Sequence, residues 1–466
     1  MARLPQANHR TVAGKSGPQG APTGSIGRAF DPAARAWSVV VTGNLTRLAL
    51  GFVASVLIAR DLGPVSYGVF AVLGAVASLG GAIADLGLTD AAVKRIASLW
   101  PADPTGACER SQVFFWLRLS VLAPVVLIAI LVTGLIGRSL PLPSDLGLLL
   151  PLTMLGIAGT ALSSTMSALL QATGSFGRFS IVMLTNALLT MLLAVALHLT
   201  GDLTILTALL ILGVATSLVG FAIGYRLLPT AIRLGLPTSR VWRGEAHRLL
   251  RFGRWLWLSN MLAMLTTQLD LFLVTHWSAP AAVGAYALAV SLASKANVVN
   301  HSLYTVLLPS AAALRGRGAL RHYLRQGLIR SSLISLALLL LFPLSGLIIA
   351  FFYGPAYAAA LRLFRLLLGV VIFDLYVTPL LLLPYHYDRP DFLAAADALR
   401  IVVVAFLGIW LIPAIGPTGA VAARLGAGVA GAGLTVALLA RRRGGDGGSL
   451  SLPPALPVPG RSSAPG

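Results

Sequence analysis

Apolar residues in this chain arrive in runs of about 20, each closed by a short polar break. A helix rising 1.5 Å per residue needs that length to cross a hydrocarbon layer roughly 30 Å thick. Twelve such runs are predicted, beginning near Trp37, Val65, Gln112, Leu146, Phe179, Leu203, Phe252, Ala281, Leu328, Leu361, Phe392 and Thr418. Leu, Ala, Val and Ile fill them, and ten-residue segments of alternating polarity are missing, which predicts helices and not the strands of a barrel. The expected fold class is an all-α membrane protein of about twelve transmembrane helices.

Composition agrees: 57% of the 466 residues are hydrophobic and 11% charged, with a mean hydropathy of +0.85. Residues 1–36 are rich in Gly, Pro, Ala and Ser and lack the apolar core of a signal peptide, so a disordered cytoplasmic tail is expected there. Residues 441–466 repeat that character. Between them the pattern predicts a six-helix lobe over 37–229, a basic cytoplasmic linker over 230–251 and a second six-helix lobe over 252–440. Every other connection is too short to fold as a catalytic domain.

The net charge of +20 changes the picture through where it lies. One set of loops carries Lys94, Arg95, Arg110, Arg178, Arg233, Arg240, Arg243, Arg248, Arg251, Arg315, Arg317, Arg321, Arg325 and Arg389, whereas the opposite set offers only Arg60, Arg138, Arg362 and Arg365. Positive residues concentrate on the cytoplasmic side, which predicts a multi-pass protein of the cell inner (cytoplasmic) membrane with both termini inside. Spread over many short loops, the charge is not a nucleic-acid groove, and no nucleic acid is expected as a partner. Cys108 is the sole cysteine, so no intrachain disulfide is possible.

The halves echo one another. Pro64, Gly68, Phe70 and Ala71 recur at the same spacing as Pro280, Gly284, Tyr286 and Ala287, and the same offset carries Asn44 onto Asn260. Repeats that begin on the same side are parallel, related by an axis along the membrane normal, with a cleft between them.

The stretch LIARDLGPVSYGVFAVLGAVASLGGAIADLGLTDAAVKRI, Leu57 to Ile96, resembles the opening of Wzx-type polysaccharide-biosynthesis flippases of the multidrug/oligosaccharidyl-lipid/polysaccharide exporter superfamily. LDLFLVTHWSAPAAVGAYALAVSLASK, Leu269 to Lys295, and IPAIGPTGAVAARLGAG, Ile412 to Gly428, are similar to further parts of that family. The resemblance implies an architecture of two six-helix lobes like that of MATE transporters and MurJ. It also implies alternating-access export of a polyprenyl-pyrophosphate-linked oligosaccharide, in a capsular, O-antigen, teichuronic or exopolysaccharide pathway. Its expected partners are that lipid-linked substrate, membrane lipid, and a polysaccharide polymerase and glycosyltransferases.

Ionisable residues inside spans are costly and mark sites by default. Here they are Arg47, Arg118, Asp270, Lys295, Asp374, Arg400 and Arg424. Arg47 and Lys295 stand at matching depths in opposite halves, and are expected to face one another and bind an anionic head group; Arg400 is a further substrate-binding candidate. Asp270 and Asp374 are candidates for coupling, with Asp270 alternatively pairing a charge on another helix. Asp397 and Arg400, three apart, read as a local ion pair, and Arg118 and Arg424, near span ends, as snorkelling residues. His198, His276, Trp255, Trp257, Trp277 and Tyr385 read as interfacial. The segment Asp85–Asp90 reads as a helix stop, with no metal role. Walker loops, HExxH and GxSxG are missing, so no catalytic residue, cofactor or metal is expected. Two alternatives stand: a cation-coupled multidrug antiporter of the same superfamily, and a membrane glycosyltransferase or polymerase.

Overall fold

A computed structural model describes residues 32–139, 146–232, 234–312, 316–386 and 390–445. The tail residues 1–31 and 446–466, and the side chains of Asn44 and Tyr385, lie outside the described set. Eleven described helices are long and apolar enough to cross a membrane, and the first contains two crossings. Gly63, with φ 67° and ψ 171°, interrupts it just before Pro64. Gly43 packs on Ser180 near the start of one neighbouring helix, Asp61 meets His198 near that helix's other end, and Gly87 returns to Gly253 near the start of another. The chain therefore goes across at 43–61 and comes back by 85, because a residue at positive φ followed by proline breaks the helix at that point.

Twelve spans result, here α1 (32–62), α2 (64–85), α3 (Pro104–Ser139), α4 (Leu146–Ala172), α5 (Phe176–Thr200), α6 (Ile205–Leu227), α7 (Ser239–Trp277), α8 (Pro280–Ala312), α9 (Gly318–Tyr353), α10 (Pro355–Leu381), α11 (Pro390–Ile415) and α12 (Pro417–Gly445). They form two six-helix lobes, α1–α6 and α7–α12. A short helix, Leu88–Ala97, follows α2. The helices extend beyond the apolar runs: α3 begins before Gln112, α7 takes up the linker from Ser239, and α12 continues to Gly445. The extensions are too polar for hydropathy to register, although some of their polar residues, Ser111 and Glu245 among them, are buried.

The lobes join at the face opposite the basic loops. Gly68 of α2 and Gly284 of α8 touch backbone to backbone, so that a Cβ at Gly68 would stand 2.9 Å from the Gly284 nitrogen, and one at Gly284 would run into the Pro64 carbonyl. These are repeat-equivalent residues meeting each other, as self-complementary contacts at a two-fold axis do. Around them Tyr357 donates to the Ala59 carbonyl at 2.6 Å, and Phe52 packs edge-on to Phe352 with centroids 5.5 Å apart. The largest buried apolar cluster runs through this seam, from Val56 and Tyr67 to Tyr286, Leu288 and Leu368.

Candidate functional site

Toward the basic face the seam gives way to a cavity of about 600 Å³. It is lined by α2 and the short helix after it, by α3 and α4, and on the other lobe by α7. The break after α2 makes it polar: Leu86 (φ 48°) and Gly87 (φ 68°) turn the chain, so that Asp85, Thr89 and Asp90 come to the wall. Leucine at positive φ is strained, and it persists because Gly87 and Gly253 allow α7 to lie directly on the turn.

Arg118 of α3 organises one wall. It is 4% exposed and donates to the Asp85 carboxylate and the Thr89 hydroxyl from one guanidinium nitrogen, and to Ser164 at 3.0 Å from another. Its Nε is buried without a hydrogen-bond partner. Across the cavity Asn260 of α7 donates to Asp90 at 3.2 Å. Trp257, one turn earlier, lines the same space with an indole nitrogen that is buried and unpartnered. Ser78, Thr160 and Thr267 add hydroxyls, and Gly81, Ala82, Ala161 and Ala263 keep the walls shallow.

This wall corrects three expectations. Arg118 does not snorkel: α3 starts at Pro104, which sets Arg118 about 20 Å along the helix, and it is held in an ion pair. Trp257 belongs to the cavity and not to an interfacial belt, which Trp255, 66% exposed, fits instead. Asp85–Asp90 is a helix stop as expected, yet it also carries both acids of the cavity. No group of three metal-ligating side chains occurs among the described residues.

The other candidates lie elsewhere. Asp270, 2% exposed, accepts from the Tyr286 hydroxyl at 2.6 Å and pairs with Arg424 at 3.3 Å, joining α7, α8 and α12. Arg424 is thus an ion-pair member and not a snorkelling residue. Asp374 of α10 approaches α12 at Gly428, one turn beyond Arg424, and Arg400 of α11 approaches it at Gly431. Arg400 pairs with Asp397 at 3.2 Å, as its spacing foretold. Lys295 of α8 bonds Ser291 at 3.0 Å and reaches α1 of the opposite lobe, its ammonium 6.0 Å from the Phe52 ring centre. Arg47 is exposed on α1. Neither it, Lys295 nor Arg400 lines the cavity. His198 pairs with Asp61 at 2.7 Å, and His276 packs against Trp277.

A family model described as "Polysaccharide biosynthesis protein" matches residues 57–362, about two thirds of the chain. The chain belongs to that family. No curated protein sequence matches it significantly. Among solved structures, an inward-facing multidrug-resistance MATE transporter of the MOP superfamily matches with a TM-score of 0.65 at 15% identity, over 85% of this chain and 94% of that one. The lipid II flippase MurJ in an inward closed conformation gives 0.59 at 14% identity, over 86% and 87%. A variant of the Vibrio cholerae MATE transporter VcmN gives 0.58 at 16%, over 88% and 96%. At such identities these likenesses establish the fold. This polysaccharide biosynthesis protein, to whose family the segments at Leu57, Leu269 and Ile412 pointed, is thus a multi-pass membrane protein with the helical architecture that MATE transporters and MurJ share.

Proposed function

We propose that the protein is a flippase that carries a polyprenyl-pyrophosphate-linked oligosaccharide across the cytoplasmic membrane for cell-surface polysaccharide synthesis, with the basic face and both termini cytoplasmic. The observation that carries this reading is the polar chamber between two lobes, closed on the far side by the Gly68–Gly284 contact, in a chain of the polysaccharide biosynthesis family. In this reading the seam parts as the basic face closes, which exposes the chamber to each leaflet in turn. Coupling is assigned to Asp270, which pairs with Arg424, and to Asp374 of the same lobe. A polysaccharide polymerase and glycosyltransferases are the partners proposed for the basic loops.

The pyrophosphate falls to Arg47 and Lys295, with Arg400 as a further contact. Two observations support the pair. The repeat offset of 216 that takes Asn44 to Asn260 takes Arg47 to Ala263, which lines the chamber. Lys295 meets α1 at Phe52, five residues from Arg47 and so about 8 Å along the helix. In proteoliposomes loaded with a fluorescent prenyl-pyrophosphate oligosaccharide, the wild type should move the lipid between leaflets, while Arg47→Ala and Lys295→Ala, folded by size-exclusion profile, should not. Normal translocation by both variants refutes the residue assignment, and none by the wild type refutes the function.

A second reading rests on Asp85 and Asp90, which outnumber Arg118 among the chamber's ionisable groups. Such a wall suits a cationic drug in an antiporter. Ethidium efflux by the same proteoliposomes separates the two, since the flippase reading expects none.

A further inference from the structure

Building on the flippase reading, we infer that the chamber receives the sugar portion of the substrate and selects neutral or amino-bearing sugars against uronic acids. Its wall is a carbohydrate-type set of groups: planar polar side chains that accept and donate in pairs, hydroxyls, and one indole. Asp90 and Asn260 already share one hydrogen bond, which leaves a carboxylate oxygen and an amide carbonyl side by side as acceptors for neighbouring hydroxyls. The Trp257 indole nitrogen and the Arg118 Nε are buried donors without a partner. Buried donors of that kind cost free energy until something accepts from them. Neither atom has surface open to the chamber, so a sugar oxygen accepts from them only once the side chains shift, and the small residues Gly81, Ala82, Ala161 and Ala263 leave room for a ring against the wall. The volume of about 600 Å³ lies within the range of small-molecule sites and admits a short oligosaccharide.

Charge decides which sugar. Three lining residues are ionisable: Asp85, Asp90 and Arg118. Arg118 is committed to Asp85 and Thr89, so Asp90 is the carboxylate that lines the chamber without an ion-pair partner among the described residues. The cations on its own short helix are occupied elsewhere, Lys94 over the Phe252 ring and Arg95 with Glu245. A uronate brought beside Asp90 meets a like charge in a confined space, whereas a hydroxyl or an ammonium does not. The phosphates of the carrier are held outside this wall, at Arg47 and Lys295 in the reading above.

The test uses the full-length protein in detergent and three short-chain prenyl-pyrophosphate monosaccharides that differ only in the sugar: N-acetylglucosamine, glucosamine or glucuronic acid. Microscale thermophoresis should give the first two affinities about tenfold or more above the third, from the Asp90 repulsion. Asp90→Asn, which keeps the shape and the bond to Asn260, should close most of that gap by strengthening uronate binding. Equal or tighter binding of the uronate to the wild type, or a gap untouched by Asp90→Asn, overturns the inference and leaves the flippase reading standing. Failure of all three glycolipids, with ethidium bound in an Asp90-dependent manner, overturns the flippase reading and the inference with it.

Discussion

The two lobes share a plan and use their charges in opposite ways. In the first lobe Asp85 and Arg118 pair at the wall of an open chamber, with Thr89 and Ser164 completing the set. In the second, Asp270 and the Tyr286 hydroxyl close on one another inside the bundle and hold Arg424, whose side chain is 27% exposed, against it. The repeat shows how this arose along the chain: the offset of 216 sets Asp270 against Ala54 and Tyr286 against Phe70. A carboxylate and the hydroxyl that binds it stand together in one lobe, and an alanine and a phenylalanine hold the equivalent sequence positions in the other. Charge introduced into a membrane helix comes with its partner, since an unpartnered one is expelled or neutralised.

Breaking the closed network has the largest expected effect. Asp270→Ala orphans the buried Tyr286 hydroxyl and leaves Arg424, 27% exposed, without its carboxylate, and should cost about 3 kcal/mol of stability in detergent unfolding, the low end for loss of one partner from a buried ion pair. Adding Tyr286→Phe, which installs the first lobe's residue pair, should recover about 1 kcal/mol by removing the orphaned hydroxyl. A double variant less stable than Asp270→Ala alone contradicts the partnership.

Next comes the open pair. Arg118→Ala leaves Asp85 facing a chamber that water can enter, so the loss should be about 1–3 kcal/mol, smaller than for Asp270. An equal or larger loss in the same unfolding assay would erase the contrast between open and closed networks. The smallest effect is expected at Asp397, whose side chain is 61% exposed beside Arg400. Asp397→Ala should stay within about 0.5 kcal/mol of the wild type, as exposed i,i+3 pairs do.

Helix number, lobe division and the repeat were legible because they follow from run length and spacing, which tertiary packing does not alter. The Gly63–Pro64 break was legible for the same reason. The chamber was not. Asp85 and Arg118 lie 33 residues apart on different helices, and Arg118 passed for an end residue because hydropathy began α3 near Gln112 when the helix begins at Pro104. The Asp270–Arg424 pair carried a usable signal: Asp270 is seven residues before Trp277 and Arg424 seven after Pro417, so both lie about 10 Å from the same helix ends. Matching depths pointed to that pairing as much as to the one drawn between Arg47 and Lys295. Trp257 differs from Trp255 only by helical phase, which says which face a ring takes but not what that face meets.

The meeting of Gly68 with Gly284 has a mechanical consequence. Bare backbone offers no interlocking side chains to be unpicked when the two surfaces separate. The glycine contact is therefore a clean parting line, and resistance to opening resides beside it, in the grip of Tyr357 on Ala59 and of Phe352 on Phe52.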